Sequence, residues 1–537
     1  MAGQGPGPRV TLVPRAALAL VLAAYVLPLV MPVPLMEDDE GLHAAIAVEM
    51  VEGGDWVVPR LMGEPFLDKP ILYFWMQAAS LSAFGRSEFA VRLPGTLMAR
   101  AGAAATGWLA WPRAGPLAAW WAALCDATML LPSAVSLAPL HDLVMVPLAA
   151  LAVGAFWRVH HATSLAGAAG WTAMAGIVLG LSMLGKGLTG AGLVGVGMAA
   201  WMAWTRTWTW RLVASAAVAL AMAGAIAWPW YAAMEAATPG YLHYFFLERH
   251  IGGVAGEDQR HAGRPFWYYA PILVAGAWPW LVDAARRSPA RGGLGERLVW
   301  AWLVADVVLL SASGSKLATY LLPAFPALAI LAGQAIAGQH EGPGVARARF
   351  WVAVVTASLP LAAEAYLASS HGWGRAGLVG LVGAAAPLAL LGWTMEPARR
   401  ESWTGASRLL TVTAATFVVI ALTIRPVVAA QFTAVGLSAH FNRESALPAR
   451  LYIIDEGIGS FLFYLKPELR RGLTPDRVRR LSRFSLADVA GDAEGFAAIA
   501  WDRLDGVREL YDLPVLGSGA PGGFAVMALA DIRPRQR

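Results

Sequence analysis

Long apolar stretches recur along the first 430 residues, and this feature most constrains how the chain can fold. A membrane-spanning helix needs about 20 predominantly apolar residues. The stretches lie near residues 17–35, 90–111, 115–133, 142–157, 167–185, 187–204, 212–233, 267–285, 298–312, 317–337, 350–368, 376–395 and 408–428. Of the 537 residues, 57% are hydrophobic and only 14% are charged, whereas soluble domains carry about 25% charged residues. The sequence therefore predicts a polytopic α-helical membrane protein with about thirteen transmembrane helices.

The distribution of positive charge predicts the orientation of these helices. Arginines cluster in every second connection, near residues 113, 158, 206–211, 286–297, 347–349 and 399–408. Such clusters normally mark the inner side of a membrane. This places the two long connections, 37–88 and 234–266, on the outer side. The formal net charge of +5 does not indicate a nucleic-acid partner, because the chain has no long basic arm and no nucleic-acid motif.

The end of the chain differs in composition from the rest. Residues 440–537 are charged and contain short strand-like runs at 451–454, 496–500 and 524–528, separated by helical segments. We therefore predict two domains, a transmembrane domain over residues 1–430 and a small outer α/β domain over residues 440–537. The single cysteine, Cys125, excludes an intrachain disulfide and a cysteine-based zinc cluster.

Lysine usage indicates an anion-binding site. The chain has 41 lysines and arginines together, but only four are lysines. Three of the four, Lys69, Lys186 and Lys316, fall at outer helix ends or in the first outer loop. Snorkelling at a membrane border is the simpler explanation, but arginine would serve it equally well. A compact ammonium suits phosphate, so these lysines are predicted to share an anionic ligand.

Acidic residues on the same side are candidates for catalysis. Asp39 and Glu40 directly follow the first apolar stretch, and Asp39 lies one helical turn before His43. A carboxylate here can act as a general base or bind a cation, although acids also favour helix N-termini for simple electrostatic reasons. Asp142 opens the fourth span, where a carboxylate is costly unless it serves a site or a partner.

Two further motifs have weaker implications. The segment 180–187 imitates a phosphate-binding loop, but Gly187 stands where a magnesium-binding serine or threonine belongs, so a nucleotide cofactor is not predicted. The second outer loop contains Glu248, His250 and His261, and Arg264 follows as a predicted substrate contact. These histidines match no standard metal-binding spacing, so a metal site and a role without any ligand both stay open.

Several motifs together resemble a known family. They are Asp39-Glu40-Gly-Leu-His43, Gly54-Asp55-Trp56, Asp68-Lys69-Pro70, His141-Asp142, Gly185-Lys186-Gly187, Glu248-Arg249-His250 and Lys316-Leu-Ala-Thr-Tyr320, in this order over about the first 340 residues. The ensemble resembles the bacterial aminoarabinose transferases, which are related to the protein O-mannosyltransferases and belong to the GT-C glycosyltransferases. The resemblance implies a GT-C fold in a bacterial inner membrane, with the active site and the C-terminal domain in the periplasm.

The resemblance also implies roles for individual residues. Asp39 takes the place of the family's essential aspartate and Asp142 that of its second acid. Lys69 and Tyr320 would contact the lipid phosphate. Asp68 and His250 match positions where the family can hold zinc, although Asp68 replaces a glutamate. At other positions the chain departs from the family pattern, with Leu42 and His43 in place of a frequent Arg-Tyr pair and Ala45 in place of a glutamate.

These observations predict an inverting glycosyltransferase that uses a polyprenyl-phosphate sugar. The acceptor would be lipid A, another envelope glycan or a protein. Asp39 would be the base or the acceptor-positioning group, with Asp142 and Glu40 as further catalytic residues. Lys69, Lys186, Lys316, Tyr320 and Arg264 would bind the substrate. The alternative is a transporter or flippase for a lipid-linked or anionic substrate, although such proteins bind near the membrane midplane rather than on one side.

Overall fold

The computed structural model describes residues 13–255, 263–290, 292–338, 341–371, 375–400, 404–514 and 523–535. Helices dominate this part of the chain up to residue 444. The helices of the first half are α1 (Arg15–Val30), α2 (Asp39–Gly53), α3 (Leu72–Phe84), α4 (Glu88–Thr128), α5 (Leu130–Val135), α6 (His141–His161), α7 (Leu165–Lys186), α8 (Thr189–Thr205), α9 (Trp210–Ala237), a π-helix (His243–Gly252) and α10 (Gly253–Ala255).

The second half continues with shorter and longer helices in alternation. They are a 3₁₀ helix (Phe266–Tyr268), α11 (Tyr269–Gly276), α12 (Leu281–Ala284), α13 (Leu294–Ala312), a second 3₁₀ helix (Ala318–Ala324), α14 (Phe325–Gly338), α15 (Pro343–His371), α16 (Arg375–Ala384), α17 (Ala386–Thr394), α18 (Pro397–Arg400), α19 (Gly405–Val419), a second π-helix (Ile420–Ile424), α20 (Arg425–Gln431) and α21 (Val435–Glu444).

Several of these helices suit a lipid bilayer. Six segments of the described chain are long and apolar enough to cross a membrane, namely His141–His161, Leu165–Lys186, Trp210–Ala237, Ala318–Gly338, Pro343–Leu367 and Gly405–Gln431. Shorter apolar helices are present at Arg15–Val30, Phe266–Gly276 and Gly380–Thr394. The chain is thus a multi-pass helical membrane protein, whereas the count of thirteen spans stays a prediction.

The long helix α4 is two helices joined at a kink. Gly115 has φ of 81° and ψ of 173°, which is not helical, and it lies between Pro112 and Pro116. A positive φ is accessible to glycine because it has no Cβ. The kink falls close to the predicted boundary between the second and third apolar stretches.

The end of the chain forms an α/β unit. Strands β3 (Arg450–Ile454), β4 (Val478–Leu481), β5 (Gly495–Ala500) and β7 (Phe524–Ala528) make a four-stranded sheet in the order β4-β3-β5-β7, with the last pair antiparallel and the other pairs parallel. Three of the strands coincide with the predicted runs, and β4 was not predicted. The remaining elements are α22 (Gly459–Tyr464), α23 (Pro467–Arg470), α24 (Leu504–Arg508), 3₁₀ helices at Arg483–Val489, Trp501–Arg503 and Leu529–Asp531, and the pairs β1 (Arg60–Leu61) with β2 (Glu64–Pro65) and β6 (Tyr511–Asp512) with β8 (Arg533–Pro534).

The α/β unit packs directly against the first long connection. A Cβ at Gly41 would lie 2.2 Å from the backbone nitrogen of Ser460, and one at Gly459 would lie 2.1 Å from that of Leu42. Helices α2 and α22 therefore touch backbone to backbone, which only glycine permits. Ala45 and Met62 belong to the same apolar cluster as Phe461, so the two segments share a core.

Candidate functional site

Three chain segments meet at one end of the helical bundle. Helix α6 begins at His141 and the neighbouring α7 ends at Lys186, so the start of one and the end of the other lie together. The Lys186 ammonium donates to Oδ1 of Asp142, and the hydroxyl of Thr319 donates to Oδ2 at 2.9 Å. The Lys186 Nζ also lies 3.8 Å from the centre of the Tyr320 ring. Asp142 thereby holds Lys186 against the aromatic face of Tyr320.

Lys69 and Asp39 lie beside this group. Lys69 is close enough to Lys186 for the two ammonium groups to repel each other. Both Lys69 and Asp39 act electrostatically on the buried imidazole of His43. Asp39 itself is exposed, as the first residue of α2. The structure therefore places an exposed carboxylate near two ammonium groups, whereas an anionic ligand shared by Lys69 and Lys186 stays a prediction.

The His43 side chain is buried close to Asp39. Burial is the main cause that lowers its pKa to about 4, with Lys69 acting in the same direction and Asp39 in the opposite one. Its Nδ1 lies 2.8 Å from the carbonyl oxygen of Pro139, which fixes a neutral tautomer with Nδ1–H as the donor. The ring packs edge-on against His141, with centroids 4.9 Å apart. Sequence reasoning did not pair these histidines, although each stands close to a predicted acid.

Glu40 differs sharply from its neighbour Asp39. It is 4% exposed, and its two oxygens accept from the Arg92 guanidinium at 2.9 and 3.0 Å. It also accepts from the backbone N–H of Met36 at 2.8 Å. These contacts favour an anchoring role for Glu40, holding the start of α2 against α4, over the catalytic role that the sequence predicts.

Lys316 has a different set of partners from the other two lysines. Its buried ammonium donates to the carbonyl oxygens of Ser313 and, at 3.3 Å, of Arg264. The Arg264 side chain is exposed and lies 4.7 Å from the centre of the Tyr268 ring. These contacts let Lys316 hold the segment before α11, so the structure gives the prediction of a shared anion less support here than at Lys69 and Lys186.

The proposed metal ligands Asp68 and His250 each contact other groups of the protein. The His250 Nδ1 donates to the Phe245 carbonyl at 2.8 Å, and its Nε2 accepts from the Leu188 N–H at 3.3 Å. The backbone at Gly187 packs closely against this Nε2 atom, since a Cβ at Gly187 would lie 2.3 Å from it.

Asp68 also has partners within the protein. It accepts from the Tyr244 hydroxyl and lies 3.5 Å from Nε of Arg249. Among the described residues no group of three histidine, cysteine or acidic side chains could hold a metal ion. His261, the remaining histidine of the second loop, lies outside the described residues.

Known proteins resemble the chain in sequence. Residues 68–231 match the profile of the family described as dolichyl-phosphate-mannose-protein mannosyltransferase. A protein from Edwardsiella ictaluri named undecaprenyl phosphate-alpha-4-amino-4-deoxy-L-arabinose arabinosyl transferase is 33% identical over 57% of this chain. A protein of the same name from Pseudomonas aeruginosa is 32% identical over 66% of each chain. The matches span between 56% and 60% of the length of the first three curated relatives.

Solved structures resemble the whole chain in fold. The crystal structure of ArnT from Cupriavidus metallidurans bound to undecaprenyl phosphate has a TM-score of 0.77, with 21% identity over 96% of this chain and 97% of that one. The apo structure of the same protein gives 0.76. The chain thus has the ArnT-like GT-C fold over nearly its full length.

Proposed function

Because the chain belongs to the GT-C family of the bacterial aminoarabinose transferases, we propose that it is a membrane glycosyltransferase. It moves a sugar from a polyprenyl-phosphate donor to an acceptor at the outer face of the bacterial inner membrane. The relatives' names, and the undecaprenyl phosphate in the Cupriavidus metallidurans structure, support this class of donor. The acceptor is lipid A, another envelope glycan or a protein.

The observation that carries the proposal is the grouping of Asp39, Lys69 and Lys186 at one end of the bundle. Transfer of a sugar from a lipid phosphate breaks the bond between the anomeric carbon and a phosphate oxygen. The bonding electrons leave with the phosphate, which gains negative charge. Fixed cations at the place where this charge develops lower the barrier, and losing one such group typically costs on the order of a hundredfold in rate.

Asp39 acts on the incoming acceptor. For a hydroxyl acceptor, the exposed carboxylate takes the proton as the oxygen attacks the anomeric carbon, which is worth about 10²–10⁴-fold in rate. For a lipid phosphate acceptor, which is already ionised, Asp39 orients the group instead. Attack from the side opposite the departing phosphate inverts the anomeric carbon.

Lys69, Lys186 and Tyr320 form the donor side of the site. Lys186 is oriented by Asp142 and lies against the Tyr320 ring, so its ammonium has a defined position before the donor arrives. Such preorganisation avoids a reorganisation cost during the reaction. Lys316 and Arg264 order the neighbouring segment at the rim of the site.

The architecture that accompanies this proposal has about thirteen membrane-spanning helices over residues 1–430. Residues 37–88 and 234–266 form periplasmic loops, and residues 440–537 form a periplasmic α/β domain. The shared core of α2 and the α/β unit supports placing that unit on the same side as Asp39. A zinc requirement stays a prediction of the resemblance, which metal analysis of the purified protein tests.

The decisive experiment supplies purified protein in vesicles with a radiolabelled undecaprenyl-phosphate sugar and candidate acceptors. We expect label on an acceptor, release of undecaprenyl phosphate and inverted stereochemistry. Movement of intact labelled donor across the vesicle without bond cleavage would instead establish the alternative, a flippase. Donor left unchanged on its original side with every acceptor class would reject both functions.

A further inference from the structure

A polar cavity lies at the end of the bundle opposite the proposed active site. It has a volume of about 310 Å³ and lies between the kink of α4, the start of α13 and the end of α14. Helix α6 reaches from the proposed active site to this region, because Asp142 lies in its first turn and Trp157, in its last turns, lies beside Arg113. The residues that line the cavity include Arg113, Arg287, Gly295, Glu296 and Gln334.

The guanidinium group of Arg113 is buried at this cavity and has no counter-ion among the described residues. All three of its guanidinium nitrogens are inaccessible to solvent and have no hydrogen-bond partner in the described part of the chain. The guanidinium lies 5.5 Å from the centre of the Trp157 ring, and Arg158 adds a second positive charge nearby. An unpaired buried charge is strongly destabilising, so Arg113 requires an anion that the described residues do not supply.

Glu296 is not that anion. Its carboxylate is held by Arg287 in a two-pronged ion pair, in which Nε of Arg287 lies 3.1 Å from Oε1. The three charged residues that line the cavity therefore leave a net charge of +1. Gln334 contributes a second buried polar group that lacks a partner, since its Oε1 has no hydrogen-bond donor among the described residues. A ligand with both an anionic group and a hydroxyl would satisfy Arg113 and Gln334 together.

The backbone around Arg113 is shaped to complete such a site. A Cβ at Gly295 would lie 2.8 Å from Cδ of Arg113, so the close approach of the arginine depends on glycine at this position. Helix α13 starts at Leu294, and the preceding Gly293 provides no side-chain cap, which leaves N–H groups of the first turn available at the positive end of the helix. Arginine and a helix N-terminus are the two groups that proteins most often turn towards phosphate.

We propose that this cavity binds a phosphate group, carried by a membrane phospholipid or present as free phosphate. Exposed Trp111 and Leu294 flank the cavity, and exposed tryptophans are typical of the level where lipid headgroups lie. Basic cavities between helices on the inner side of a membrane suit anionic headgroups. This site is separate from the donor site, because the two lie at opposite ends of α6.

Thermal unfolding of the detergent-purified full chain tests the proposal. The protein is titrated with short-chain phosphatidylglycerol, with the matching diacylglycerol that lacks phosphate, and with inorganic phosphate at constant ionic strength. We expect phosphatidylglycerol to raise the unfolding temperature and diacylglycerol to have no effect. An equal effect of inorganic phosphate at similar concentration would identify free phosphate as the ligand, and a much weaker effect would identify the lipid.

Variants then show whether the stabilising ligand binds in this cavity. Arg113→Gln is expected to weaken binding by roughly tenfold or more, and Gly295→Ala is expected to weaken it by displacing Arg113. Arg15→Gln, which changes an exposed arginine at the inner end of α1, serves as the control and should bind as the wild type does. If Arg113→Gln does not fold, Gly295→Ala and Arg113→Lys carry the test. Equal binding by the folded cavity variants and the wild type, or no stabilisation by any phosphate compound, would overturn the proposal.

Discussion

The Lys186 ammonium donates to the Asp142 carboxylate where α7 ends beside the start of α6. Both side chains are largely buried, with exposed fractions of 13% and 9%. Asp142 has a second donor in Thr319 at 2.9 Å, so its charge is well compensated. The pair explains why an acid and a base are both tolerated at helix ends in an apolar bundle, since each neutralises the other.

This ion pair leads to a prediction that separates stability from activity. Asp142→Asn leaves the Lys186 charge without its partner, and breaking a buried pair costs about 3–5 kcal/mol. The double variant Asp142→Asn with Lys186→Met removes both charges and should regain most of the lost stability but not the transferase activity. Thermal unfolding and the labelled-donor assay measure the two effects. Equal loss of stability in the single and double variants would contradict the pairing.

Asp39→Asn should abolish most transfer while leaving the protein folded. The exposed side chain contributes little to packing, so the unfolding temperature should change little, whereas the rate should fall by about 10²–10⁴-fold for a hydroxyl acceptor. The adjacent Asp38→Asn is the matched control, because Asp38 forms an exposed ion pair with Arg480 at 3.3 Å and such pairs contribute little. Wild-type turnover by Asp39→Asn would remove Asp39 from the mechanism.

Lys69→Gln should reduce kcat by about a hundredfold, because the charge it contributes is needed most as the phosphate departs. The control is Lys466→Gln in the C-terminal unit, whose side chain is exposed. Steady-state kinetics with a lipid-phosphate sugar distinguish the effect on kcat from an effect on KM. A variant that changes only KM would show that Lys69 binds the donor equally in the ground and transition states.

The contact between Gly41 and Gly459 should be essential for docking the α/β unit. Gly41→Ala places a methyl group 2.2 Å from the Ser460 nitrogen, so the two helices must separate at a cost of about 1–3 kcal/mol. Gly53→Ala in the same helix is the control, since nothing lies within 4 Å of a Cβ there. Limited proteolysis near residue 445 and thermal unfolding should distinguish the variants, and equal protease resistance would refute the contact.

Glu37 should make the stability of this junction depend on pH. Burial is the main cause that raises the pKa of Glu37 to about 7, and Asp38 and Glu456 add to it. Because this folded-state pKa is above the unfolded value of 4.5, the folded protein binds the extra proton. The resulting stability is fully present below about pH 4.5 and is lost as the pH rises through 7.

Glu37→Gln keeps an oxygen for the Ser460 N–H and removes the titration. The variant should therefore be more stable than the wild type at pH 8, with the difference shrinking as the pH falls to 5. Unfolding temperatures between pH 5 and 8 provide the measurement. Parallel curves for the two proteins would show that Glu37 does not titrate in this range.

Local patterns were enough to predict several parts of this protein. The apolar stretches predicted a multi-pass helical fold, and short strand-like runs predicted the strands at 451–454, 496–500 and 524–528, because these signals depend only on neighbouring residues. The scarcity of lysine pointed to Lys69 and Lys186. The same pattern grouped Lys316 with them, but its ammonium binds the carbonyls of Ser313 and Arg264 instead.

What the sequence determined by itself is the membrane class, the segments that become helices and strands, and the residue types available for catalysis. Only the tertiary structure decided that Glu40 pairs with Arg92 while the adjacent Asp39 stays exposed, and that Gly41 meets Gly459. The reason is that helix and strand formation depends on nearby residues, whereas burial and charge pairing depend on which distant segments pack together. The chemistry of a carboxylate follows from that environment rather than from its position in the chain.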